Sequence, residues 1–390
     1  MATTRDRLMA VLESKEPQRV VWWPRIRHWY DVNNCANTLP KRYGGLYLDE
    51  VYKDLDATPR EVWIGGLFGG GEYAGEIALA TREGSDVEVW VKPAKGLYNG
   101  TSGDFTVTRY VTPVGEMRQV ARRTEEGTSS YPVEHFLKDQ ESIGVYKYVL
   151  EHREYEFDWQ RYRWGEKRYG DQIYPKAAIE REPILRLVIG MMGLNRTVIW
   201  LWKHPQEMEG LMELMLQDLE KQIEAYAGTP VVELCMPSNT HESLCSPSQF
   251  RKYMIPHLQR IADKAHATGK YLSSHWDGFV KSLLPLLKET ELDGLECVTP
   301  KPQGDLTLEE MKKYIIDEGK FLRDGMPAVL FTKHHTVKEL ETFTRQILDT
   351  LGGSGRLQLG VSDMVPANAD IERVRLVGKI IEEWNEGRFG

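Results

Sequence analysis

In the segment KYLSSHWDG an imidazole and a carboxylate, His275 and Asp277, stand two residues apart. In an extended segment positions i and i+2 point the same way. The pair could therefore grip one cation, as zinc and similar metals require. Glu296 and Cys297 close the apolar run DGLEC, and Ser362 and Asp363 follow RLQLGV. The resulting expectation is a divalent metal held by His275, Asp277 and Glu296, which are also the catalytic candidates. Asp363, or Ser362 beside it, is the fourth ligand. The same residues allow a plainer account, in which Asp277 caps a helix and His275 is a hydrogen-bonded wall residue. Cys297 alone has the character of a small buried hydrophobe. Glu233 suits a buried, paired position, and His334-His335 a solvated loop.

A second group is aromatic. Trp22, Trp23, His28, Trp29 and Tyr30 cluster in VVWWPRIRHWY, with Arg25 and Arg27 interleaved. They could form the wall of a site for a flat apolar molecule, with Arg25 as cationic anchor. Glu242, in the loop beyond VVELC, joins this substrate-binding set. Core packing is the competing account, and it claims one tryptophan of the Trp22–Trp23 pair.

These residues need a frame that brings strand ends together. From about Leu201 the chain alternates helix and short apolar strand. Pro205 opens a helix whose apolar residues Met208, Leu211, Met212, Met215, Leu219 and Ile223 recur at helical spacing, and Gly228 closes it. Strands are expected at 231–235, 270–274, 293–297, 321–325 and 356–361. Helices begin at the capping boxes of Ser246, Thr307 and Thr336, span Phe279 to Glu289, and run from about Asp370 to Trp384. Pro256 should kink its helix. RVVWW (19–23) is the expected first strand. Such alternation means parallel strands with helices outside. No Gly-rich dinucleotide fingerprint follows a strand, so a closed α/β barrel is expected rather than an open cofactor-binding sheet. Residues 86–120 alternate apolar and polar as half-exposed antiparallel strands do. They are expected to form a β insertion on a single domain spanning 1–390.

Net charge is −8, and no dense Lys/Arg run appears, so a nucleic-acid partner is not expected. No apolar run is long enough for a bilayer, and the N-terminus lacks a signal-peptide core. The four cysteines form no CxxC pair. Together these point to reduced thiols and a cytoplasmic enzyme.

The stretch SPSQFRKYMIPHLQRIADKAHATGKYLSSHWDG resembles the uroporphyrinogen decarboxylase superfamily. The likeness lies in a Ser-Pro before a helix, a Tyr-x-x-Pro within it, a His-x-x-Gly at its end and a strand into His-x-Cys-Gly. GVSDMVPANADIERVRLVGKI resembles that family's last strand and final helix, and VTPVGEMRQVARR the β insertion of its methyltransferase branch. The resemblance implies a (β/α)8 TIM barrel. The family's decarboxylases need no metal and use an Arg-rich N-terminal segment; here that region carries Trp and Tyr. Its zinc methyltransferases exchange methyl groups with a corrinoid protein through a His-x-Cys pair and a later Cys. A related zinc barrel, cobalamin-independent methionine synthase, adds a Glu. On this chain His275 matches the His, Asp277 falls on the Cys, Glu296 is placed like the Glu, and Ser362 or Asp363 lies near the final Cys. Carboxylates in place of thiolates make a harder site, suited to an oxygen ligand. The resemblance therefore implies a methyltransferase that moves the methyl group of a methoxylated aromatic to Co(I) of a corrinoid (cobalamin) on a partner protein, with zinc as cofactor. A decarboxylase-like lyase and a non-catalytic barrel are the alternatives, and a homodimer is compatible with each.

Overall fold

The computed structural model describes residues 2–13, 19–60, 79–98, 101–124 and 129–389. Twelve strands are present among them: β1 (Leu79–Arg82), β2 (Glu88–Tyr98), β3 (Thr101–Thr112), β4 (Gly115–Arg123), β5 (Ser130–Glu134), β6 (Glu154–Phe157), β7 (Lys176–Ala178), β8 (Glu233–Thr240), β9 (Tyr271–Trp276), β10 (Gly294–Glu296), β11 (Phe321–Arg323) and β12 (Leu357–Gln358). The last six form one parallel sheet in sequential order, β7 to β12, with a helical segment between each pair. This is the α/β TIM-barrel architecture.

The expected first strand takes part through one bridge, Trp22 to Leu359, which sets the N-terminal segment beside β12. It does not extend because the backbone of Val20 bonds to a side chain instead. Its N–H donates to Asn385 Oδ1 at 2.8 Å, and Asn385 Nδ2 donates to its carbonyl at 3.0 Å.

Elsewhere the helix signals work locally. Pro205 opens Pro205–Ala225, and capping boxes start helices at Ser246, Thr307 and Thr336. The kink expected at Pro256 takes the form of a wide π-turn, Phe250–Met254, running into the helix Ile255–Ala267. The helix expected over 279–289 is instead a turn followed by a 3₁₀ segment, Leu284–Glu289. Pro285 lies in it without an amide donor, and Val280 and Lys281 give theirs to Asp305.

The insertion is an antiparallel sheet in the order β2-β3-β4-β5. It spans residues 88–134, longer than the expected 86–120. It rests on the helix Gln140–His152, where Met117 and Val120 are buried and Gly115 faces Val145.

Candidate active site

Parallel strands of a barrel turn alternate side chains inward. On β9 the inward residues are Ser273 and His275, and the outward ones include Leu272 and Trp276, whose ring packs edge-on against Phe250. The sheet register places His275, Glu296 and Arg323 side by side on β9, β10 and β11, and Gln358 next to Arg323 on β12. Four polar side chains from four strands thus share one level of the barrel. β10 can lie this close because Gly294 has no side chain: a Cβ there would stand 2.5 Å from the Phe321 ring.

Inside the barrel these groups form a buried charge network. Arg323 donates to Glu233 Oε1 at 3.0 Å, Glu296 Oε2 at 2.9 Å, Gln358 Oε1 at 2.9 Å and Tyr174 Oη at 2.6 Å. Lys176 reaches Glu296 at 2.6 Å, and Arg60 reaches it at 3.3 Å. Arg60 also pairs with both oxygens of buried Asp324. Burial opposes a charge on Glu296, but Lys176, Arg60, the His275 N–H and Arg323 together hold it well below the usual carboxylate range. Burial raises the Asp324 carboxyl, and Arg60 only partly offsets this.

His275 Nδ1 lies 3.2 Å from Glu296 Oε1. An ionised carboxylate only accepts, so Nδ1 donates to Glu296. This is the usual arrangement of a metal-binding histidine and its supporting carboxylate.

Just outward of this level, β10, β11 and β12 are followed by non-glycine residues at positive φ: Cys297 (73°), Asp324 (78°) and Asp363 (63°). Left-handed turns of this kind cost roughly 1–3 kcal/mol each and cluster at functional sites. Two of these residues, Cys297 and Asp363, place ligand atoms beside His275, all three within 4.8 Å of one another. Ligand atoms around a tetrahedral zinc stand roughly 3.3–3.8 Å apart, given bond lengths of about 2.0–2.3 Å. One imidazole, one thiol and one carboxylate, the last half-exposed, make a three-ligand set with an open side. Burial, then Asp363, Asp277 and Asp324, push the Cys297 thiol well above its ordinary range. A thiol in that negative field ionises against a cation, so the donor set fits a metal.

The expected ligands thus separate. His275 and Asp363 belong to the cluster. Glu296 is committed to five cationic or N–H partners beneath it: His275, Arg25, Arg60, Lys176 and Arg323. Asp277 stands near enough to act on Cys297 but is outside the cluster, because β9 ends at Trp276 and its chain turns toward β8, with the Asp277 N–H bonded to Thr240 O at 3.1 Å. Cys297, read from the sequence as a small buried hydrophobe, stands in the cluster with His275 and Asp363. The signal for it was its position directly after Glu296 at a strand end. Arg323 and Lys176 were likewise readable as charges inside apolar strands.

The aromatic group divides too. Trp22 stacks on Phe331 and donates to Val374 O, outside the sheet. Trp29 is 3% exposed and packs edge-on against Tyr43. Both are buried, Trp22 against the C-terminal helix and Trp29 against Tyr43. Trp23 faces the barrel interior, with Arg60 and Arg323 at 5.4 and 5.3 Å from its ring centre. Arg25 is buried, 3.8 Å from Glu296 and 3.7 Å from Asp363. His28 and Tyr30 are half-buried, and the Tyr30 hydroxyl donates to Leu46 O at 2.5 Å. Glu242 accepts from Ser282 at 2.7 Å.

The uroporphyrinogen decarboxylase (URO-D) model matches residues 185–384, half of the chain and nearly all of its parallel sheet. The chain belongs to the uroporphyrinogen decarboxylase family. Among solved structures it is similar in fold to a methyltransferase from Methanosarcina mazei, with a TM-score of 0.56, 13% identity, and 98% of this chain and 99% of that chain covered. A structure of the pneumococcal virulence factor StrH aligns with a TM-score of 0.33 and 12% identity over 62% of this chain and 63% of that one, too little to carry an argument. No curated protein matches the sequence. Among the described residues, no helix of this family member is long and apolar enough to cross a membrane.

Proposed function

We propose that this chain is a zinc-dependent methyltransferase that transfers the methyl group of a methoxylated aromatic to the Co(I) corrinoid of a separate carrier protein. The observation that carries this reading is the convergence of His275, Cys297 and Asp363 at the carboxyl ends of β9, β10 and β12, where barrel enzymes place their chemistry. These three residues would hold the metal. When bound, zinc supplies Lewis acidity toward the ether oxygen and so favours departure of the phenolate. Glu296 fixes the His275 ring, and Arg25 holds both Glu296 and Asp363 in place. Trp23, His28, Tyr30 and Glu242 are the proposed contributors to the substrate cavity, and Asp277 stands beside the metal. The methyl carbon leaves oxygen, which keeps the bonding pair, and joins an incoming nucleophile. Cys297 does not serve as that nucleophile, since the metal would hold its sulfur, so a reduced corrinoid partner fits the need. A lyase that binds substrate carboxylates would use Arg25 and Arg60, but both are turned onto the protein's own carboxylates.

Elemental analysis of the purified protein should find about one zinc per chain, by the one-site ligand set. Guaiacol with Co(I) cobalamin should then give the methylcobalamin spectrum in step with catechol release. Absence of stoichiometric metal, together with no cobalt methylation across a panel of methoxyarenes, would overturn the proposal.

A further inference from the structure

Among the described residues strand β2 is an edge of the insertion sheet, and residues 88–96 are exposed on both faces. Val89, Trp90 and Val91 are 41%, 49% and 62% exposed. An edge of this length with apolar side chains is a template for another strand. Its hydrogen-bonding parity can be derived. The two-residue turn between β3 and β4 makes Thr112 and Gly115 the closing, hydrogen-bonded pair. Even-numbered residues of β3 therefore bond to β4, and odd-numbered ones face β2. The β2–β3 register pairs Thr108 with Val91 and Arg109 with Trp90, so the even residues of β2 bond inward. Val89, Val91, Pro93 and Lys95 turn their backbone groups to the open edge. Pro93, which has no amide hydrogen, sits where a missing donor leaves the inner ladder intact.

We infer that β2 is a homodimerisation strand, pairing antiparallel with β2 of a second copy across a two-fold axis through Trp90, so that two four-stranded sheets become one of eight. The strand is self-complementary in that register. Val89 faces the partner's Val91 in a hydrogen-bonded pair, twice over, and four valines meet on one face. On the other face Trp90 meets the partner's Trp90, and Glu88 meets the partner's Lys92 on each side. Within one copy Lys92 already lies over the Trp90 ring, 5.1 Å from its centre, and Trp90 Nε1 donates to Glu88. The three side chains thus form a ready-made half of the contact. Registers centred on neighbouring residues lose the Glu–Lys match or set more edge carbonyls against Pro93.

The test is solution mass together with a cross-link, on the full chain. Sedimentation should give twice the 44.9 kDa chain mass for the native protein. Val91→Pro removes an outward donor without touching the inner ladder, and should yield the monomer at unchanged helical content. Lys92→Glu should weaken the dimer by at least about 10-fold, since like charges then face each other, and Glu88→Lys combined with it should restore the dimer. In a Cys35→Ser background, which removes the exposed thiol, Trp90→Cys should oxidise to a covalent dimer, because directly opposed non-hydrogen-bonded residues stand about 4.5 Å apart. A native monomer, a dimer that survives Val91→Pro, or a Trp90→Cys protein that stays uncross-linked would overturn the inference. A surviving dimer would point instead to the exposed Val198, Ile199 and Trp202 of the helix Leu194–Lys203.

Discussion

Cys297 and Glu296 are adjacent in sequence and stand in different roles, and the difference is one of direction. Glu296 ends β10 and points into the barrel, among four cationic side chains and the His275 ring. Cys297, at φ 73°, turns away from the strand path and meets His275 and Asp363. Cys297→Ala should therefore lower zinc affinity by more than about 100-fold, beyond the usual effect of removing a supporting group. Asp277→Asn, outside the cluster, should cost less than about 10-fold, within the range for a neighbouring residue. Competition against a chromogenic chelator measures both. Equal losses in the two variants would put Asp277 back among the ligands.

At the scale of elements, the site depends on how close β10 and β11 lie. The Phe321 ring occupies the space a side chain at position 294 would need, so a single methyl group must push two central strands apart. Gly294→Ala should destabilise the protein by about 1–3 kcal/mol, as overpacking of a buried position does. Because His275, Glu296 and Arg323 are in one register row, it should also weaken zinc binding. Urea unfolding of the metal-free protein, beside a zinc titration, separates the two effects. A variant of native stability would show that β11 yields without strain.

Across the whole molecule, a buried ion network occupies one level of the barrel interior among the described residues. Replacing one member leaves its partners charged and buried, so Glu233→Gln should cost about 3–5 kcal/mol near pH 7. The pH dependence follows from the direction of the shift. Burial opposes the Glu233 charge, but Arg323 and Lys176 hold its carboxyl below the ordinary value. Its contribution is complete above the unfolded-state pKa of about 4.3, and is lost as pH falls through the lower folded value. The stability gap between the native protein and Glu233→Gln should then narrow below about pH 4. Chemical unfolding at a series of pH values measures it, and a gap constant down to pH 3 would contradict the assignment.

The repeating strand and helix signals of the C-terminal half were legible because they are local. Capping boxes, the proline at position 205 and the apolar spacing of its helix act over three or four residues, and each element they specify is present. The β insertion was legible for the same reason, through its period-two alternation. The boundaries were less so: the first strand shrank to one bridge because Asn385, more than 360 residues away, bonds to the Val20 backbone. The residue types for a metal and the strand ends that bear them were also in the sequence. Which of them meet was not, since a side chain's partner depends on the shear between strands and on the hand of the backbone at each strand end. Left-handed backbone at Cys297 and Asp363 accompanies their approach to His275. The register of β9, β10 and β11 put Glu296 among cations. Those are properties of the closed barrel, decided by packing between segments far apart in the chain.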